Sequence, residues 1–521
     1  MWYDVVPLLH SDTRIQTLFT VDATSEFGAG VPEFLTSRGA LVVPWEVARD
    51  RSRFDCDLTV SASANGNLHE LPGPLLLMSH GAGHHKYLAT DGGVDDTVAG
   101  LSRQQLIHDG TVVPAAIALG GNEQLARLRR ECPEAVDRAT VTGDICHQRL
   151  LASRPQRERY RRELELHEGQ KLVLLSSTWG RDSLFGRYPR LAERLLSELP
   201  SDEFRFTAAL HPNCWDRHGR PQVEGWLETA RRAGLALIPP HEGWRAALIA
   251  SDLVVADHGS VGFYGAAIGI PLALAAFGSD ETPDDSPAAA LARRAPRLDV
   301  DAPLESQIRA AMSDFDPHEV GAIVDETLDT KQDNGSRLRD RMYDLLRLDP
   351  PAAPYRPAPV ELTEVDWKPV SALYHFPSME DGFVALRQYP ARVEPAEPRR
   401  PYRERILSVD ASETDQRLWD AAAVLSWARP RLSVDEAARW AERELSTRRG
   451  AATAVAVLQD GRLLLALREY GVYLAHSRSR LEASSVGAAV HYLAVKGQVP
   501  GELRLRVADT NITVRLRPDA P

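Results

Sequence analysis

Short apolar runs alternate with amphipathic stretches along the first two-thirds of the chain. One run, Leu253 to Ala256, is β-branched at its centre, the pattern of a strand buried on both faces of a parallel sheet. Asp257-His258-Gly259-Ser260 interrupts it with residues suited to a sharp turn. Val261 to Ile268 then predicts a helix of small residues, stopped by Gly269 and Pro271, and Leu272 to Ala276 predicts the next strand. A polar turn that ends a parallel strand and opens a helix is where open α/β sheets bind ligands. The free N–H groups and the dipole of such a helix favour a phosphate. Ser260 reads as the N-cap and could add its hydroxyl. The same residues also fit an ordinary strand–turn–helix with nothing bound. Val261 to Gly278 carries no charge, as a membrane span would not. Pro271 in its middle, with Gly262, Gly265, Gly269 and Gly278, predicts helix, turn and strand instead.

The alternation extends in both directions. Strands are predicted at 14–21, 40–45, 57–63, 74–79, 111–119 and 139–142, with helices at 26–37 and 122–131. This is a parallel sheet with helices on both faces, over residues 1–150. A charged helix follows at 154–166. Strands at 172–176, 204–210 and 235–238, with helices at 189–199, 222–233 and 244–250, then lead to the Asp257 turn. Helical segments at 288–295, 304–328 and 331–347 complete this second unit, 151–348. Residues 349–359 are a proline-rich linker, extended and stiff. Residues 360–521 differ. They predict helices at 414–427 and 434–446, a hairpin around Gln459-Asp460-Gly461, and strands at 472–475, 503–507 and 512–516. The expectation is a small accessory α+β module with an antiparallel sheet and no catalytic constellation. A length of 521 residues fits about three domains.

Charge and cysteines narrow the classes. A net charge of −12 argues against general nucleic-acid binding. The start, MWYDVVPLLHSD, lacks the basic-then-apolar pattern of a signal peptide. Cys56, Cys132, Cys146 and Cys214 are scattered without a CxxC pair. They predict reduced thiols in a cytoplasmic protein, not a disulfide framework or a zinc site.

Four polar turns each follow a predicted strand: His80 to Lys86, Ser177 to Ser183, His211-Pro212, and Asp257 to Ser260. All fall at the same end of their strands, so their residues can converge. Arg181 and Lys86 suit phosphate charge, arginine bidentately. His211 suits a phosphoryl oxygen. His80, held by a buried strand, suits a general base toward an acceptor hydroxyl. Each histidine also fits a plain turn or cap, and Lys86 a solvated surface charge. His80, His84 and His85 match no strong metal-ligand spacing. The chain has no GxxxxGK[ST] loop and no strand–GxGxxG–helix unit.

These turns resemble those of the CDP-glycerol glycerophosphotransferases of the teichoic-acid polymerase type, within the two-Rossmann architecture called GT-B. His80-Gly81 with Lys86 resembles that family's HGTxxK loop. Thr178-Trp179-Gly180-Arg181 is similar to its TxR motif with one residue inserted. His211-Pro212 resembles its HP. Asp257-His258-Gly259-Ser260, followed by an apolar helix and Gly269-Ile270-Pro271, resembles its D-Y-S-S turn and G-x-P. Val141-Thr142-Gly143-Asp144 is similar to its domain-crossing G-x-P segment, without the proline. The likeness covers about residues 70–280. Gly259 replaces one of the paired serines, and Ala82-Gly83-His84-His85 stands where the family has Thr-Pro and an apolar residue.

The resemblance implies two facing Rossmann-like domains, with an acceptor domain first and a nucleotide-donor domain second. It implies transfer of a glycerophosphoryl or glycosyl group from a nucleotide-diphosphate donor, CDP-glycerol-like or UDP-sugar-like, to a hydroxyl acceptor that is soluble or lipid-linked. His80 would be the base. Thr178, Arg181, His211, Asp257 and Ser260 would bind the donor, and Lys86 and His84 the acceptor or a phosphate. No metal or other cofactor is implied, and the protein would be cytoplasmic or peripheral to the membrane. An epimerase could use the same scaffold. The two motif departures point instead to a non-catalytic nucleotide sensor or scaffold, with a protein partner held through residues 360–521.

Overall fold

The computed structural model describes residues 2–22, 30–90, 93–362, 365–393, 405–479 and 482–519. Its first sheet has four parallel strands in chain order: β1 (Thr59–Ser61), β2 (Leu75–Met78), β3 (Ala116–Leu119) and β4 (Ala139–Val141). The strand expected over 111–119 is split. Pro114 has no N–H for a ladder, so Thr111–Val112 pairs back on Ile107–His108 and β3 starts only at Ala116. The strands expected at 14–21 and 40–45 shrink to one parallel bridge, Phe19 to Val42. The first helix spans Val31–Ser37, and positions 26–29 of the expected 26–37 lie outside the described residues.

The second sheet has five parallel strands: β5 (Lys171–Ser177), β6 (Phe204–Leu210), β7 (Leu235–Leu237), β8 (Leu253–Ala256) and β9 (Leu272–Leu274). Their order across the sheet is β7-β6-β5-β8-β9. Successive side chains leave a strand on opposite faces, and here both faces are covered. Val173 and Leu175 pack with Leu195 and Phe206 on one side. Leu172 and Leu174 pack with Ile249 and Phe263 on the other. That double burial is why β5 and β8 read as unbroken apolar runs. The strand order reverses between β5 and β8, which opens a crevice at their C-terminal ends. The helix expected at 304–328 breaks in two, because Asp316 caps a new start by accepting the His318 N–H (2.9 Å) ahead of Pro317.

The C-terminal module is larger and more closed than a small antiparallel sheet. Nine strands form a closed barrel: β10 (Ala372–Glu380), β11 (Phe383–Pro390), β12 (Ile406–Asp410), β13 (Val424–Leu432), β14 (Thr453–Leu458), β15 (Leu463–Leu467), β16 (Gly471–His476), β17 (Glu502–Val507) and β18 (Thr510–Pro518). The pairs β11–β17, β12–β13 and β13–β14 are parallel and the rest antiparallel. The helix expected at 414–427 ends at Ala421, and Val424 already belongs to β13. The helix Ala483–Val495 packs with the inward side chains of β11, β14, β15 and β18, such as Leu386, Val455, Leu465 and Val514.

The end of the proline-rich segment is held down like a strap. The buried Arg149 donates to the carbonyls of Ala358 (3.0 Å) and Pro359 (3.2 Å), and the Tyr160 hydroxyl donates to that of Val360 (2.7 Å). The barrel also docks on the second sheet's unit. Gln388 N–H donates to Asp202 (2.8 Å), Ser201 N–H to the Gln388 carbonyl (2.8 Å), and Arg387 pairs with Glu305 (2.8 Å). A chain cut at residue 348 loses the Tyr160 acceptor and two of the Arg149 acceptors, while the Tyr3 carbonyl and Asp4 still serve Arg149; each lost buried hydrogen bond costs about 1–3 kcal/mol. Fragment 1–348 should therefore melt several degrees below fragment 1–370 in a thermal unfolding scan. Equal melting points would show that the strap contributes nothing.

Candidate functional site

Asp257 follows β8 and is buried, yet its carboxylate is fully engaged. Oδ2 accepts from the Thr178 N–H (2.8 Å), the Thr178 hydroxyl (2.8 Å) and the Leu184 N–H (2.9 Å), and Oδ1 accepts from the Gly259 N–H (3.0 Å). Thr178 follows β5, so this one carboxylate ties together the two turns that flank the crevice. Asp257 and Thr178 order the turns in this state; neither presents an open polar group to a ligand here.

The helix α1 (Ser260–Ala267) starts beside them. Gly259, not Ser260, is its N-cap residue, so Ser260 sits in the first turn. Gly259 has a packing reason. A Cβ there would lie 2.7 Å from Thr178 Cγ2 and 3.1 Å from Asp257 Oδ1. A side chain at this position would have to displace Thr178. Gly259→Ala should push Thr178 off Asp257, with a stability loss of about 1–3 kcal/mol by denaturant titration. An unchanged midpoint would mean that the turn relaxes freely.

The loop after β2 reaches the same place from the other sheet. Gly81 has φ +107°, and a Cβ on it would lie 2.6 Å from Ser260 Oγ. The His80-Gly81 backbone therefore touches the start of α1. His80 is exposed, and its Nδ1 meets the Ala62 carbonyl at 3.0 Å. A carbonyl only accepts, so Nδ1 carries the proton and the neutral ring's lone pair lies on Nε2. His84 and His85 are turned inward onto the Ala99 and Ala82 carbonyls, and burial lowers both to about 4. His84 thus ties its own loop to the Ala99 carbonyl. Lys86 crosses to Glu281, 3.2 Å away. Arg127 and Arg130 likewise meet Asp285 at 3.1 and 2.8 Å.

His211 caps the helix Pro212–His218, its Nδ1 accepting from the Asn213 N–H (3.2 Å). Burial, with the charges of His80 and Lys86 near it, lowers it to about 4. It is neutral at pH 7, and with Nδ1 accepting it carries its proton on Nε2. Arg181 is exposed on the Trp179–Ser183 loop, which adjoins Gly278 through Asp182. The His211 backbone N–H also donates to the Ser177 carbonyl (2.9 Å), so the four turns adjoin one another.

Two further residues lie among these turns: His258, which the sequence placed in the Asp257 turn without a role, and Glu281. His258 is buried, with Nδ1 accepting from the Gly278 N–H (3.1 Å) and Nε2 3.5 Å from Glu281. Glu281 is held down to about 2 by the His258 ring and by Lys86, against the cost of burial. The only sequence hint was the acidic stretch after Gly278. At the crossing between the sheets, Asp144 accepts from Tyr264 of α1 (2.9 Å) and from the His147 N–H (2.7 Å), and burial pushes it up to about 6. Among the described residues, no group of three His, Cys, Asp or Glu could hold a metal ion, and no helix is long and apolar enough to cross a membrane.

No protein-family model matches the sequence, and no curated protein matches it. Solved structures do. A structure of the wall teichoic acid polymerase TagF is 13% identical, with a TM-score of 0.41 over 59% of this chain and 78% of that one. UDP-GlcNAc 2-epimerase from Neisseria meningitidis, bound to UDP-GlcNAc, is 12% identical, with a TM-score of 0.40 over 66% and 96%. Trehalose 6-phosphate synthase from Burkholderia multivorans is 14% identical, with a TM-score of 0.31 over 54% and 68%.

Proposed function

We propose that the protein is a transferase of GT-B type. It moves a glycerophosphoryl or glycosyl group from a nucleotide-diphosphate donor to a hydroxyl acceptor, between two facing Rossmann-like units. The observation that carries this reading is the contact of Gly81 with Ser260. It brings the backbone next to His80 up to the N-terminus of a helix, which supports reading His80 as a base close to an anion site.

The chemistry follows from those groups. The donor diphosphate lies at the first N–H groups of α1, with the Ser260 hydroxyl, the Arg181 guanidinium and the His211 N–H on its oxygens. His80 Nε2 takes the proton of the acceptor hydroxyl. That oxygen attacks the phosphorus or the anomeric carbon of the donor, and the bond to the leaving nucleotide phosphate breaks. Charge grows on that phosphate as the bond opens, where fixed donors stabilise it most. Thr178 and Asp257 keep the donors in place. Arg181→Ala or His211→Ala should weaken donor binding by about 1.5–3 kcal/mol, the worth of a hydrogen bond to a charged group. Calorimetric titration of CDP and UDP into each variant reads this, and unchanged affinity in both would remove those residues from the site.

A second reading is a nucleotide sensor without turnover. The inward-turned His84 and His85 favour it, because the first loop spends two rings on its own backbone. Nucleotide binding with no transfer to any acceptor would select it.

A further inference from the structure

We propose that Glu281 is the cleft's own counter-ion, a positioning residue that holds Lys86 and His258 until the phosphate of a ligand takes its place. This rests on the anion site proposed above. Three observations carry it. First, one carboxylate oxygen serves both partners: Oε2 lies 3.2 Å from Lys86 Nζ and 3.5 Å from His258 Nε2. Lys86 comes from the loop after β2 and Glu281 from the turn Ser279–Glu281 beyond β9, so the carboxylate bridges the two sides of the cleft.

Second, the His258 ring is aimed at this point. It is 1% exposed, and its Nδ1 accepts from Gly278, which puts the proton of the neutral ring on Nε2. At 3.5 Å, Nε2 lacks a good hydrogen bond and has no other partner. A buried donor left short of an acceptor is suited to an oxygen that comes closer than Glu281 does. Third, the contact is displaceable. The side chains of Lys86 and Glu281 are 38% and 33% exposed, and half-exposed pairs hold weakly. A doubly charged phosphate competes well for the same ammonium.

The loop is meanwhile held from elsewhere. The Lys86 carbonyl accepts the Ala99 N–H (2.9 Å), and Gly81 rests on Ser260. The position of the loop therefore does not depend on the Glu281 charge, and its removal leaves Lys86 Nζ and His258 Nε2 without that acceptor.

The test is calorimetric titration of inorganic pyrophosphate, and of CDP and UDP, into the full-length protein and Glu281→Gln at low salt. The variant should bind pyrophosphate about threefold to tenfold more tightly, and the gain should shrink as salt rises. It should vanish in the double variant Glu281→Gln with Lys86→Met. Equal or weaker pyrophosphate binding by the variant, with nucleotides still bound by the wild type, overturns the proposal and leaves the anion site standing. No binding of pyrophosphate or nucleotide by either protein overturns both. Should Glu281→Gln not fold, Glu281→Asp draws the carboxylate back by one methylene and should shift affinity in the same direction.

Discussion

His80→Ala should lower turnover about a hundredfold to ten-thousandfold and leave donor affinity close to that of the wild type. A general base acts on the acceptor in the transition state, so its loss appears in kcat and not in the donor's dissociation constant. The geometry adds a finer expectation. The Ala62 carbonyl fixes the proton on Nδ1, so the basic nitrogen of the neutral ring is Nε2. His80→Asn keeps a polar group near Nδ1 but offers no basic nitrogen, and it should be as slow as His80→Ala. Donor affinity is read by calorimetry and turnover by release of the nucleotide. Equal loss of donor affinity and turnover in His80→Ala would show that the residue supports the site and does no proton chemistry.

Acid should unfold the protein early. His84, His85, His147, His211 and His375 are each lowered to about 4, in every case first by burial. An unfolded imidazole titrates near 6.5. As pH falls below that value the unfolded chain takes up protons that the folded chain refuses. The stability these rings contribute is therefore complete above about pH 6.5 and is lost down to about pH 4. At pH 5 the loss is about 2 kcal/mol per ring. Asp144 and Asp202 act in the other direction. Burial raises both to about 6, so the folded state takes up their protons first and gains stability as pH falls through that value. Five rings outweigh two carboxyls, and the net loss by pH 5 is roughly 5 kcal/mol or more, comparable with the whole stability of a domain. Thermal unfolding between pH 7.5 and 5 should show a steep fall in the melting temperature, less steep in His375→Phe. A flat or rising profile would show that these rings reach water or a partner in the folded state.

What the sequence made legible was the part whose signal is local. The strands of the second sheet stand out because both of their faces are covered, as at Leu172 to Ser176. The turns at their ends stand out because polar residues follow apolar runs. The barrel was hidden for the opposite reason. Val424 to Trp427 follows an alanine-rich helical stretch, and only the parallel partners β12 and β14 make it a strand. The middle of the helix Ala483–Val495 shows no polar stripe, since Ser485 to Val490 are buried and Gly487 packs against β13 and β14. In the site, residue types pointed to His80, Arg181, His211 and Ser260. They could not show that Asp257 is saturated by its neighbours, that Gly259 is forced by Thr178, or that Glu281 crosses to Lys86. Those are consequences of approach between segments far apart in the chain.

On the reading proposed above, a nucleotide diphosphate binds at the start of α1. Calorimetric titration of CDP, UDP and GDP into the full-length protein tests it most directly. At least one should bind with a 1:1 stoichiometry, and that binding should weaken by tenfold or more in Arg181→Ala. No binding of any of the three at saturating concentration, or binding that Arg181→Ala and His211→Ala both leave unchanged, would contradict it.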